Sequence, residues 1–178
     1  MRNVRYSAAV SLDGYIAGPA GEFDWIPNEP DIDWPAFMGR FDTVLMGRRT
    51  FEATLSQGDH NPSTGMRTYV FSRTLLGHDH PNVTVVRDRA ADVVAELRRE
   101  SGKEIWLMGG GVLFKSLLDA GLVDTVEAAV VPILLGGGVP FLPAPTRRTR
   151  LELTDLKRYV TSGIVLLTYN AVVPEHRK

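Results

Sequence analysis

The 178-residue chain contains no cysteine. It therefore has no disulfide, no thiol nucleophile and no cysteine zinc site, a composition that a reducing compartment permits. An excess of either charge is also lacking: 20 Lys and Arg against 21 Asp and Glu leave a net charge of −1, which removes the electrostatic case for a nucleic-acid partner. Met1 to Ser11 mixes charged and apolar residues without a long apolar run, so neither a secretory signal nor a membrane partner is expected and the cytoplasm is the expected location. Internal repeats, low-complexity tracts and linkers are missing too, and residues 1–178 are read as one globular domain.

What the chain does have is an alternation of short apolar strands and amphipathic helices. Strands are expected at Tyr6 to Ser11, Thr43 to Met46, Thr68 to Phe71, Val83 to Val86, Glu104 to Met108 and Thr125 to Val131. Between them, helices are expected from Pro35 to about Arg40, from Arg48 to about Leu55, from an Asp88 cap through Leu97, and over the stretch that places Leu113, Phe114, Leu117 and Leu118 on one side before Gly121. This order predicts an α/β fold with a mostly parallel central sheet and helices on both faces. The tail departs from it: Leu151 to Val160 and Ile164 to Val173, joined by Thr161-Ser162-Gly163, read as an antiparallel hairpin at the sheet edge. Leu12 to Asp33 carries three glycines and three prolines and is expected to be an irregular lid.

Two strands run straight into a glycine that opens a helix, at Gly47-Arg48-Arg49-Thr50 and at Gly109-Gly110-Gly111. A helix start exposes unpaired N–H groups and the positive end of a dipole, so two of them at neighbouring strand ends can share a pyrophosphate-linked ligand. The arginines and hydroxyl of the first add phosphate chemistry. Ser72-Arg73 follows the strand at Thr68 to Phe71, where a doubly wound fold puts its ligand crevice, and a hydroxyl with an arginine suits a 2′-phosphate, which favours NADPH over NADH. The spacing of Gly109 to Phe114 is not the G-x-G-x-x-G of a Rossmann dehydrogenase.

Ala9-Val10-Ser11-Leu12-Asp13-Gly14-Tyr15-Ile16, Met46 to Glu52, Val70-Phe71-Ser72-Arg73 and Met108 to Phe114 together resemble the dihydrofolate reductase superfamily, in the same order and over nearly the whole chain. The Ser-Leu-Asp-Gly start and Pro132 to Gly138 are more similar to the branch that contains the reductase domain of riboflavin-biosynthesis enzymes. The resemblance implies that Ala9 and Ile16 hold the nicotinamide of NADPH. It further implies that Gly47, Arg48, Arg49 and Thr50 bracket the phosphates together with Gly109, Gly110, Gly111, Val112 and Leu113, and that Ser72 and Arg73 take the 2′-phosphate. It also implies an oxidoreductase acting on a small heterocycle, pterin-like or pyrimidine-like. The alternatives are reduction of the ribose of a phosphorylated aminopyrimidine, or NADPH binding without turnover. A homodimer through the edge hairpin is a further expectation.

Reduction of a C=N bond needs a route for a proton and a group to orient the acceptor, roles suited to a carboxylate. Asp31, sixteen residues before Gly47 in the segment Asp31-Ile32-Asp33-Trp34, resembles the acid of dihydrofolate reductases. Asp13 is the second candidate, against a plain Asp-Gly turn, and Asp33 reads equally as a helix cap. Phe23 and Trp25 either stack on the acceptor or pack the lid. Gly136-Gly137-Gly138 is a candidate for a substrate phosphate. No metal is expected, since His60, His78, His80 and His176 lie in loops or the tail and no motif places a third ligand.

Overall fold

A computed structural model describes residues 1–172 apart from 57, 59–62 and 146. His60, His176, Val173 and half of the expected loop from Ser56 to Gly65 lie outside the described residues. The strands are β1 (Val4–Ser11), β2 (Tyr15–Ala17), β3 (Phe41–Gly47), β4 (Arg67–Phe71), β5 (Val83–Val86), β6 (Glu104–Gly109), β7 (Thr125–Val131), β8 (Val139–Pro140), β9 (Arg150–Arg158) and β10 (Val165–Val172). The helices are α1 (Trp34–Met38), α2 (Arg48–Leu55), α3 (Ala90–Arg99) and α4 (Gly111–Asp119).

Eight strands form one sheet in the order β5-β4-β3-β6-β1-β7-β10-β9. All pairs from β5 to β7 are parallel, and β10 and β9 add antiparallel at one edge. A parallel sheet must be covered on both faces, and the apolar residues of the strands sort accordingly. Val4, Tyr6, Leu45, Ile105 and Leu107 pack with Val94 and Leu97 of α3 and Leu113, Phe114 and Leu117 of α4. On the opposite face Val44, Met46, Val70 and Trp106 meet Phe51 of α2 and Phe37 of α1.

That second face also buries charge. Arg5 donates to Glu104 Oε2 at 2.8 Å and to Glu127 Oε2 at 2.9 Å, and the Ser7 hydroxyl donates to Glu127 Oε1 at 3.0 Å. Each group is hydrogen-bonded, the condition on which a buried ion pair is tolerated.

Three local expectations are corrected. The lid is not wholly irregular: Tyr15–Ala17 pairs antiparallel with Val139–Pro140 as a separate two-stranded sheet. The cap of α3 is Arg89, with φ 57°, and not Asp88. Helix α1 begins at Trp34, one residue before Pro35, because Asp33 turns the chain and its carboxylate accepts the Ala36 N–H at 2.9 Å.

Candidate functional site

Strands β3 and β6 lie side by side, so the helices that follow them begin next to each other. Gly47 is the cap residue of α2 and Gly110 that of α4, and neither has a side chain to cover the N–H groups of the first turn. The two starts meet closely: a Cβ placed on Gly47 would stand 3.7 Å from the Gly110 nitrogen, and one on Gly109 would stand 3.3 Å from Thr50 Oγ1. The Gly109–Gly110 peptide is cis. Arg48 is exposed and bridges to Glu52 at 3.2 Å, whereas Arg49 is exposed and has no hydrogen-bond or ion-pair partner among the described residues. Val112 stands out into solvent, while Leu113 buries its side chain in the core and offers only its backbone N–H. Such a pair of uncapped N-termini beside unpaired guanidinium charge fits the diphosphate of a dinucleotide.

A cleft of ≈ 350 Å³ opens at the ends of β4 and β5, lined by Ser72, Arg73, Arg87, Asp88, Arg89 and Ser116 among others. The Ser72 hydroxyl accepts the N–H groups of Thr74 and Leu75, shaping the turn that carries Arg73. Arg73 itself is 86% exposed and lies 3.7 Å from Asp88. Arg87 faces the same cleft. Three arginines around one opening suit an anionic ribose substituent.

Ala9 sits on β1 opposite Ala129 of β7, on the face that also carries Val131, Tyr159 and Ile164. Ile16 belongs to β2 and is half-buried. Around the carboxyl ends of β1, β6 and β7 the chain leaves Leu12, Val112 and Leu134 exposed, and Phe23, Ile26 and Trp34 of the lid segment and α1 are exposed as well.

The carboxylates separate clearly. Asp13 accepts from the Ser11 hydroxyl at 2.6 Å and from the backbone N–H groups of Leu135 and Gly136 at 3.1 and 2.7 Å, so it clasps the glycine-rich loop to the end of β1. Asp31 is exposed in a turn, and its side chain has no hydrogen-bond partner among the described residues. Trp25 and Ile32 pack the lid onto Val131, Tyr159 and Ile164. One carboxylate escaped the sequence reading: Glu29 is 2% exposed, and its oxygens accept the N–H groups of Asp31 and Ser162, each at 3.0 Å. No group of three or more His, Cys, Asp or Glu that could hold a metal occurs among the described residues.

Several carboxyls titrate below their ordinary range. For Asp13 the main cause is the Ser11 hydroxyl, and for Glu29 that of Ser162; at Glu104 burial pushes upward, and its bonds to Arg5 and Asn3 outweigh it. A lowered folded value means that the stabilisation is complete above the unfolded pKa, about 4, and is lost as pH falls through the folded value. The melting temperature is therefore expected to be flat from neutrality to about pH 5 and to fall below about pH 4. A melting temperature that rises on acidification would contradict these assignments.

The RibD C-terminal domain family model matches residues 2–166. The uncharacterised protein YyaP of Bacillus subtilis is 31% identical over 180 residues, spanning 95% of both chains. The riboflavin biosynthesis protein RibD of Mycobacterium tuberculosis is 29% identical over 77% of this chain, which covers 44% of that protein. A solved structure from Shewanella sp. PV-4, provisionally assigned to riboflavin biosynthesis, superposes with a TM-score of 0.81 at 30% identity over 97% of this chain and 100% of that one. RibD of Acinetobacter baumannii shares the fold, with a TM-score of 0.70 at 19% identity over 97% of this chain and 59% of that one.

Proposed function

Because this chain belongs to the RibD C-terminal domain family of dihydrofolate-reductase-like reductases, we propose that it is an NADPH-dependent reductase of a small planar heterocycle, pterin-like or pyrimidine-like, acting in the cytoplasm. The observation that carries this reading is the meeting of two uncapped helix starts at the ends of β3 and β6. Gly47, Arg48, Arg49 and Thr50 bind one side of the diphosphate. The backbone of Gly109, Gly110, Gly111, Val112 and Leu113 binds the other. Ser72 and Arg73, helped by Arg87, hold the 2′-phosphate. Ala9 and Ile16 flank the nicotinamide, which supplies a hydride when bound.

The chain's remaining work is on the acceptor. Asp31 orients it and serves the proton path to nitrogen, because its carboxylate is unengaged among the described residues; both oxygens of Asp13 are occupied by the loop at 135–136, which leaves that residue a supporting role. The exposed apolar side chains around the strand ends supply a surface for a flat ring and keep water from the reacting atoms. A second reading, reduction of the ribose of a phosphorylated aminopyrimidine, is favoured by the relatives named for riboflavin biosynthesis.

Mixing the protein with NADPH and a panel of pterins and phosphoribosylaminopyrimidines, and following nicotinamide oxidation, tests both. Oxidation with one class identifies the substrate; tight binding without oxidation across the panel would mean a binding protein. In the same material Arg73→Ala is expected to weaken NADPH about tenfold, the low end for a charge-assisted contact because the side chain is exposed, and to leave NADH nearly unchanged. Equal losses for both would remove Arg73 from the cofactor site.

The chain is also proposed to form a homodimer along β9. That strand is an open edge with Leu151, Leu153 and Leu156 exposed, a liability that pairing with a second copy relieves. A monomer in sedimentation at micromolar concentration would contradict it.

A further inference from the structure

We propose that Glu29 is a positioning residue, a buried clasp that fixes the lid on the turn between β9 and β10 and thereby places Asp31; this rests on the reductase reading above. Glu29 lies between Asn28 and Pro30 in a segment with no regular structure, yet only 2% of it is exposed. One oxygen accepts the Asp31 N–H at 3.0 Å and the other the Ser162 N–H at 3.0 Å, across 133 positions of sequence. The nearby Ser162 hydroxyl further favours the charged carboxylate. No Lys or Arg comes within ion-pair distance among the described residues; the two backbone N–H groups hold the charge at close range, and Lys157, farther off, adds attraction.

A buried carboxylate is costly unless its oxygens are satisfied. A lid that needed only to be plugged down would be served by the apolar contacts already present, since Trp25 and Ile32 flank Glu29 and pack on Val131, Tyr159 and Ile164. What the carboxylate adds is direction: one of its bonds is to the backbone of the residue that presents its side chain to the acceptor. The far anchor is itself fixed, because Ile164 N–H donates to Ser162 Oγ at 3.2 Å and Gly163 N–H to the Tyr159 carbonyl at 3.0 Å. The diphosphate cradle lies on other elements, at the ends of β3 and β6, and Ile16 is held separately by the pairing of β2 with β8. Loss of the clasp therefore affects the acceptor and spares NADPH.

The test uses the full chain with Glu29→Ala, and Glu29→Gln as a milder variant that keeps the side-chain shape but removes the charge and one acceptor oxygen and serves if Glu29→Ala does not fold. Hydrogen exchange is expected to accelerate about tenfold or more at the amides of Asp31 and Ser162, as expected for loss of bonds to a charged acceptor. The KM of whichever pterin or aminopyrimidine oxidises NADPH is expected to rise about tenfold, with the Kd for NADPH by calorimetry within about twofold of wild type. Unchanged exchange at those two amides would overturn the clasp. Accelerated exchange with an unchanged KM, or an equal loss of NADPH affinity, would overturn the positioning role. The exchange measurement needs no turnover, so it decides the clasp even if the reductase reading fails.

Discussion

Gly111→Ala is expected to lower the melting temperature by about 5–10 °C and to weaken NADPH by about a hundredfold. A Cβ at that position would stand 2.5 Å from the Pro140 carbonyl oxygen, 3.0 Å from Pro143 Cδ and 3.1 Å from the Phe141 carbonyl oxygen. Two of these are backbone atoms that cannot rotate away. Overpacking of this kind costs about 2–3 kcal/mol, and for a chain of this size each kcal/mol moves the transition by about 2–4 °C. The affinity loss follows from position, since Gly111 is the first residue of α4 and any shift that relieves the clash moves the N–H groups proposed to hold the diphosphate. Calorimetric melting and NADPH titration on the same sample check both effects. A variant that melts with the wild type would show that the approach of residues 140–143 to α4 is not as close as described.

Gly138→Ala is expected to be comparably damaging, through the lid. Gly138 has φ +138°, a conformation that L side chains rarely adopt, and an added Cβ would collide with the Ala17 carbonyl oxygen while standing 3.0 Å from the backbone of Gly18. The backbone conformation alone costs about 1–2 kcal/mol. The clash falls on the pairing of β2 with β8, which holds Ile16 in place. Loss of that small sheet is expected to expose the amides of Tyr15–Ala17 to rapid exchange and to reduce turnover at least about tenfold. Gly137→Ala, one residue away, meets nothing within 4 Å and has no positive φ; it should behave as wild type. If both variants behave alike, the close contact of Gly138 with the lid is not needed.

The parts of the fold that could be read from sequence are those with local causes. The boundaries expected for Val83–Val86, Thr125–Val131 and Arg48–Leu55 coincide with β5, β7 and α2, because runs of β-branched residues and a glycine before a helix act within a few positions. The neighbouring placement of the two helix starts followed from the parallel order of strands. The missed features have distant causes. Strand β2 is three residues long and exists because Gly138, more than a hundred positions on, lets another backbone come close. Asp13 had two readings on sequence alone, and two of the donors that engage it, Leu135 and Gly136, lie in the loop that follows β7. Glu29 carried no signal beyond its neighbouring prolines, and its partner Ser162 lies on the edge hairpin. Arg5 and Glu127 are unremarkable singly; parallel pairing of β1 with β7 brings them together.

Titration of the purified, folded protein with NADPH in a calorimeter tests the central claim most directly, that two adjoining helix starts grip one dinucleotide. The account expects saturable heat at one site per chain, weaker for NADH and about a hundredfold weaker in Gly111→Ala. No heat with NADPH on folded protein would contradict it.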